Sequence, residues 1–184
     1  MMNKLNLNFL SILTLIFIAA FSRIIPHMPN FTPVGAIALF GGAYFTNKYY
    51  AFFIPIFSLW ISDLIINNFL FSFHSGFTFF YPGFEWQYSS FLLITLIGVK
   101  YLNVKSFKNI FFATIFSSLL FFIITNFGVW FSGSMYPKNL SGLLMCYLAG
   151  LPFFKGTILG FVFYSTFLFG FYETLKYKKI LRHS

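Results

Sequence analysis

YYAFFIPIFSLWISDLIINN, Tyr49 to Asn68, holds one charged residue in a run of twenty, and that residue is an aspartate. A run of about 20 mostly apolar residues is what a helix needs to cross the hydrocarbon core of a bilayer. The segment therefore reads as a transmembrane helix. Charge inside a span is costly and normally faces a cavity or a partner. Trp60, Asp63 and Asn67 follow an i, i+3, i+7 spacing, so they project from one helix face.

The rest of the chain agrees with that reading. Of 184 residues, 59% are hydrophobic, 32 are phenylalanine and only 8% are charged, and the mean hydropathy is +0.82. Soluble domains carry roughly 25% charged residues, and so few charges cannot cover a soluble surface of this size. The fold class is all-α, a polytopic integral membrane protein forming a single transmembrane domain over residues 1–184, with the lipid bilayer as its first partner.

Apolar runs place six spans: Leu7 to Ile25, Val34 to Phe45, Tyr49 to Phe71, Tyr88 to Leu102, Ile110 to Phe131 and Leu151 to Leu175. The second is short for a crossing. The sixth has Pro152 in its first turn, where proline is tolerated. Asn139 to Gly150 is expected to be a separate short helix lying over one face. Lys4 before the first run allows a signal peptide, but IAAFSRIIP offers no clear small-x-small cleavage site, so the run is expected to stay as a helix.

Charge sets the orientation. With six spans both termini share a side, and placing them in the cytoplasm puts Lys4, Lys48, Lys100, Lys105, Lys108, Lys176, Lys178, Lys179 and Arg182 inside. Arg23, Lys138 and Lys155 are left outside, as the positive-inside rule favours. The net charge of +9 thus records topology. Nucleic acid, which needs basic residues on one solvated face, is excluded as a partner.

This orientation gathers the polar residues at the outer side. RIIPHMPNFTPVG, Arg23 to Gly35, carries Arg23, His27 and Asn30 among Pro26, Pro29 and Pro33, which fix the backbone and restrict the residues before them. Asp63, Asn67 and Asn68 end the third helix. His74, Glu85, Trp86 and Gln87 follow. Thr125, Asn126 and Trp130 end the fifth helix, and Lys155 and Thr157 open the sixth. For Asp63 two readings stand together: an ion pair to Arg23 or Lys155 that ties helices, and a cavity wall.

Other chemistries find little support. The lone Cys146 excludes an intrachain disulfide. His27, His74, Asp63 and Glu85 lack metal-ligand spacing. Nucleophile elbows and phosphate-binding glycine loops are absent, so neither a catalytic residue nor a cofactor is expected. Small residues line the second helix, VGAIALFGGAYF, and Gly156 to Gly160 reads GTILG. Both patterns allow close helix packing, within the chain or with a partner.

RIIPHMPNFTPVGAIALFGGAYF, the SD pair in the third helix, TNFGVW and LPFFKGT together resemble a family of uncharacterised bacterial six-helix membrane proteins regarded as transport proteins. That family is similar in turn to the substrate-binding S components of energy-coupling factor (ECF) transporters. The resemblance implies an S-component-like six-helix bundle in the bacterial inner (cytoplasmic) membrane, an occluded site near the outer face, and an ECF-type transmembrane partner with its ATPases. Arg23, His27, Asn30, Asp63, Asn126 and Trp130 fall on its motif positions. Two features depart from it. Gly160 is followed by Phe161 where an acid is common, and the first helix offers only Ser11 and Ala19 to Ser22 as small docking residues.

The expected function is a membrane substrate-binding or transport protein for a small polar, vitamin- or cofactor-like solute. Arg23 and Lys155 would meet an anionic group, and Asp63, Asn67 and Asn126 would hydrogen-bond. Trp130, Trp86 and Trp60 would supply apolar walls. The alternatives are a structural or assembly subunit and an intramembrane enzyme built on Asp63 and a histidine.

Overall fold

The computed structural model describes residues 4–70 and 76–178. Within them the protein is all-helical: α1 Lys4–Phe21, α2 Val34–Tyr44, α3 Lys48–Ile65, α4 Phe84–Tyr101, α5 Phe107–Ser132 and α6 Leu140–Tyr177. A 3₁₀ turn, Ser22–Ile24, extends α1, and a π-helical turn, Ile66–Leu70, extends α3. Three helical segments are long and apolar enough to cross a membrane: Lys48–Leu70, Phe107–Ser132 and Leu140–Tyr177.

α2 is the hub. Its residues Val34 to Gly42 are all buried, and it packs against each of the other five helices. The small residues expected to permit close packing do so within the chain. A Cβ on Gly42 would sit 2.3 Å from Thr95 O, and one on Gly98 2.4 Å from Leu39 O, so α2 and α4 cross backbone to backbone. A Cβ on Gly35 would enter the Phe161 ring. At 11 residues the helix rises only about 16 Å, against a hydrocarbon core of roughly 30 Å.

α5 and α6 form a long antiparallel hairpin. Lys138 closes its turn, with Nζ donating to the Phe131 carbonyl at 3.0 Å and to those of Trp130 and Gly133. A cation on the last carbonyls of a helix satisfies orphan acceptors and suits the helix dipole. Asn47, Ser106 and Asn139 cap α3, α5 and α6, each accepting a backbone N–H with its side chain.

α6 differs from the expected sixth helix. It has 38 residues and begins at Leu140, so Asn139 to Gly150 forms the cap and first turns of one continuous helix, with Pro152 inside. Proline is permitted within apolar helices when neighbouring helices re-satisfy the freed backbone groups, and α5 runs alongside. Two ends of the bundle result. Arg23, Asn30, the 76–83 loop and the 133–139 turn lie towards one. The other carries Lys48, Lys100, Lys105, Lys108, Lys176 and Lys178.

Candidate functional site: a buried ion pair beside a polar cavity

The 3₁₀ turn after α1 brings Arg23 against α3. Its Nη2 lies 2.7 Å from Asp63 Oδ1, with side chains 13% and 5% exposed, and its Nη1 donates to Ser62 Oγ. The second carboxylate oxygen, Oδ2, accepts from the Tyr88 hydroxyl at 2.8 Å. Three segments, α1, α3 and α4, are thereby joined at one carboxylate. Phe80 and Phe84 pack their rings against Tyr88. Nearby, burial raises the Tyr81 phenol above its ordinary value, the Asp63 charge adding to this and Arg23 opposing it.

The loop that follows Arg23 is seated on α6. A Cβ on Gly156 would lie 2.1 Å from Pro29 O, and one on Gly160 2.8 Å from Thr32 N. GTILG is thus occupied by the chain's own Pro29–Thr32 backbone, not by a second helix. Within this seat Asn30 adopts φ 60°, a left-handed conformation that asparagine tolerates better than most residues. Thr32 N–H closes the turn on Asn30 O at 3.0 Å.

Between this loop and α4, α5 and α6 lies a cavity of about 200 Å³. Asn30, Gln87, Thr125, Asn126 and Thr157 line it, with Phe121, Phe122, Val129, Gly150 and Phe153 as apolar wall. The polar groups are partly committed. Thr125 Oγ1 donates to Phe121 O (2.8 Å), Asn126 Nδ2 to Phe122 O (2.8 Å) and Thr157 Oγ1 to Phe153 O (3.3 Å). Once a hydroxyl proton is spent on the helix backbone, the oxygen keeps only acceptor capacity. Gly150 leaves room for the Asn126 amide, since a Cβ there would lie 2.3 Å from Asn126 Oδ1. The two hydroxyls therefore offer only acceptors, the amides of Asn30, Gln87 and Asn126 offer both donors and acceptors, and the wall carries no formal charge.

The other residues singled out from the sequence lie elsewhere. His27 is exposed, its Nδ1 3.0 Å from Met28 O. Asn67 Nδ2 donates back to Asp63 O at 2.8 Å. Asn68 holds the 76–83 loop, its amide donating to Thr78 O (2.9 Å) and accepting from Thr78 N (2.6 Å). These side-chain bonds to the preceding turn accompany the π-helical end of α3. Trp130 donates to Pro137 O at 2.9 Å and belongs to the α5–α6 turn. Trp86 packs over Gly128 and donates to Ser132 Oγ. Lys155 is exposed on α6, outside the cavity lining. Glu85 sits in the first turn of α4, where an anion suits the helix dipole. His74 lies outside the described residues.

None of Trp60, Trp86 and Trp130 lines this cavity, whose aromatic wall is made of phenylalanines. Ser62 and Tyr88 were not legible as site residues. Tyr88 is one of 11 tyrosines and opens an apolar run, and nothing local marks its hydroxyl as a carboxylate partner. Among the described residues no three His, Cys, Asp or Glu side chains gather as metal ligands.

No curated protein and no solved structure matches the chain. A family profile matches residues 3–183, nearly its whole length. The chain belongs to that family, DUF6580, a family of unknown function.

Proposed function

We propose that this protein is a six-span membrane protein of the bacterial inner membrane that binds a small polar solute from the outer side and hands it across the bilayer. The observation that carries the reading is the convergence of five polar side chains from four separate segments on one cavity, in a chain with only 8% charged residues. Polar side chains within apolar helices are expensive unless a partner or a cavity engages them.

The chemistry of the wall narrows the solute. Arg23 is engaged by Asp63 and Lys155 stands apart, so no free charge is offered to an anion. The hydroxyl oxygens of Thr125 and Thr157, which can only accept, and the amides of Asn30, Gln87 and Asn126, which donate and accept, favour a neutral hydrogen-bonding molecule with one apolar face against the phenylalanines. At about 200 Å³ the cavity is smaller than the roughly 300–1,000 Å³ of drug-sized pockets. No nucleotide-binding motif is present, so uphill movement would draw on an ion gradient or on a partner ATPase of the ECF type.

The test is to purify the full chain in mild detergent and identify retained small molecules by mass spectrometry, beside Asn126→Leu and Thr157→Val. A neutral, hydrogen-bonding compound kept by wild type and lost by both variants supports the reading. A wild type that retains nothing, with variants equally stable, sinks it. A second reading, a structural subunit without ligand, rests on the Arg23–Asp63–Tyr88–Ser62 cluster, in which both carboxylate oxygens and both terminal guanidinium nitrogens are engaged as a helix tie while Arg23 Nε is left without a partner among the described residues.

A further inference from the structure

At the lysine-bearing end, residues of α5 and α6 line a second cavity of about 370 Å³. Its rim holds Lys105 and Glu173 and its walls Phe111 and Phe169, while Thr114 and Ser165 line it further in. Phe107, also in the lining, lies near the rim, and Thr114 is seven residues along α5 from it, a rise of about 10 Å. Two independent observations mark this groove as a site. Thr114 and Ser165 are 1% and 2% exposed, yet neither hydroxyl has a hydrogen-bond partner among the described residues. Buried polar groups are nearly always satisfied. The rim also holds a lysine that no carboxylate pairs among the described residues. Glu173 is held by the Tyr44 hydroxyl and by Lys176 Nζ at 3.3 Å, which leaves Lys105, 5.2 Å from the Tyr44 ring centroid, as the surplus charge.

We infer that this groove binds an anionic phospholipid, with the phosphate at Lys105, the ester carbonyls accepting from Thr114 and Ser165, and an acyl chain along Phe111 and Phe169. The order of polar groups, cation at the rim, then hydroxyl donors, then aromatic wall, follows the order of phosphate, ester and hydrocarbon in the lipid. Basic pockets between membrane helices are a recurring way of holding such headgroups. Burial and the neighbouring Lys176 lower the Lys105 pKa, so a phosphate there would relieve a cost already built into the fold. A zwitterionic head would bring its own cation against Lys105. This inference is independent of the solute reading, because the two cavities share no residue.

The full-length protein, delipidated in detergent, is titrated with phosphatidylglycerol or phosphatidylcholine of matched acyl chains, and bound lipid is counted by native mass spectrometry. One phosphatidylglycerol per chain is expected, bound at least tenfold more tightly than phosphatidylcholine. Lys105→Gln should lose about tenfold in affinity, and Lys48→Gln, at the same end but outside the groove, should lose nothing. Thr114→Val with Ser165→Ala should weaken phosphatidylglycerol severalfold while leaving the lipid-free protein as stable as wild type or more so, since it removes two unsatisfied groups. Equal binding of the two lipids, equal losses in Lys105→Gln and Lys48→Gln, or unchanged affinity in the Thr114/Ser165 variant would each overturn the inference.

Discussion

At the scale of single residues, the carboxylate of Asp63 is buried and doubly held. It is 4% exposed and engaged on both oxygens, by Arg23 and by Tyr88. Removing one member of a buried pair strands the other charge, at a cost of about 3–5 kcal/mol, whereas replacing both by apolar residues is often neutral. Arg23→Met and Asp63→Leu should each lower the unfolding free energy in detergent by that order, and the double variant should recover most of the loss. Losses that simply add would show that the two side chains are not coupled. Tyr88→Phe removes one hydrogen bond to a charged acceptor and should cost about 1.5–3 kcal/mol. Lys105 gives a pH dependence of definite sign. Burial, then Lys176, holds its pKa below the ordinary 10.5, so the unfolded chain binds the proton more readily than the folded one. Stability therefore rises with pH between the folded-state pKa and 10.5. Lys105→Gln should remove that slope in lipid-free protein, read as the unfolding midpoint against pH.

At the scale of elements, the contact that shapes the candidate site is the Pro29–Thr32 backbone on Gly156 and Gly160 of α6. A valine at 156 would place its Cβ 2.1 Å from Pro29 O, and overpacking of this kind costs typically 1–3 kcal/mol. Gly156→Val should destabilise the fold by about that much or more and expose the loop to chymotryptic cleavage at Phe31. Gly170→Ala, where an added Cβ meets nothing within 4 Å, should leave cleavage unchanged and the fold no less stable, since alanine suits a helix interior better than glycine. The same contact explains what could be read in advance and what could not. GTILG announced close packing, because glycines four apart on a helix expose its backbone. That the approaching backbone would be a proline-rich loop, and not another helix, depends on residues more than a hundred positions away. Pro152 misdirected the reading for a local reason: proline suits a first helical turn, and its sequence context does not distinguish that from the interior of a long apolar helix beside α5.

At the scale of the whole molecule, the separation of a lysine-rich end from an end with amides, Arg23 and Asp63 calls for a fixed orientation in the membrane. In a Cys146→Ser background, a membrane-impermeant maleimide applied to intact cells should label Met135→Cys, in the 133–139 turn, and leave Asn103→Cys, in the 102–106 loop, unlabelled. The reverse pattern would invert the topology proposed above, and labelling of both would reject a membrane-crossing arrangement for α5.

Local properties of the chain decided its class. Apolar length, sparse charge and the sorting of lysines determine that it folds as apolar helices and where most of them lie, because span length and charge cost depend only on a residue's own stretch. They also marked Arg23, Asn30, Asp63 and Asn126 as polar residues with no ordinary reason to be there. Which of these meet was decided by packing. Arg23 reaches Ser62, 39 positions away, and Asp63 joins Tyr88, 25 positions away, while Asn30 and Asn126 turn to a separate cavity. A hydrogen bond or ion pair extends only a few ångströms, so its partner is fixed by how α2 draws five helices around itself, and no periodicity along the chain encodes that distance.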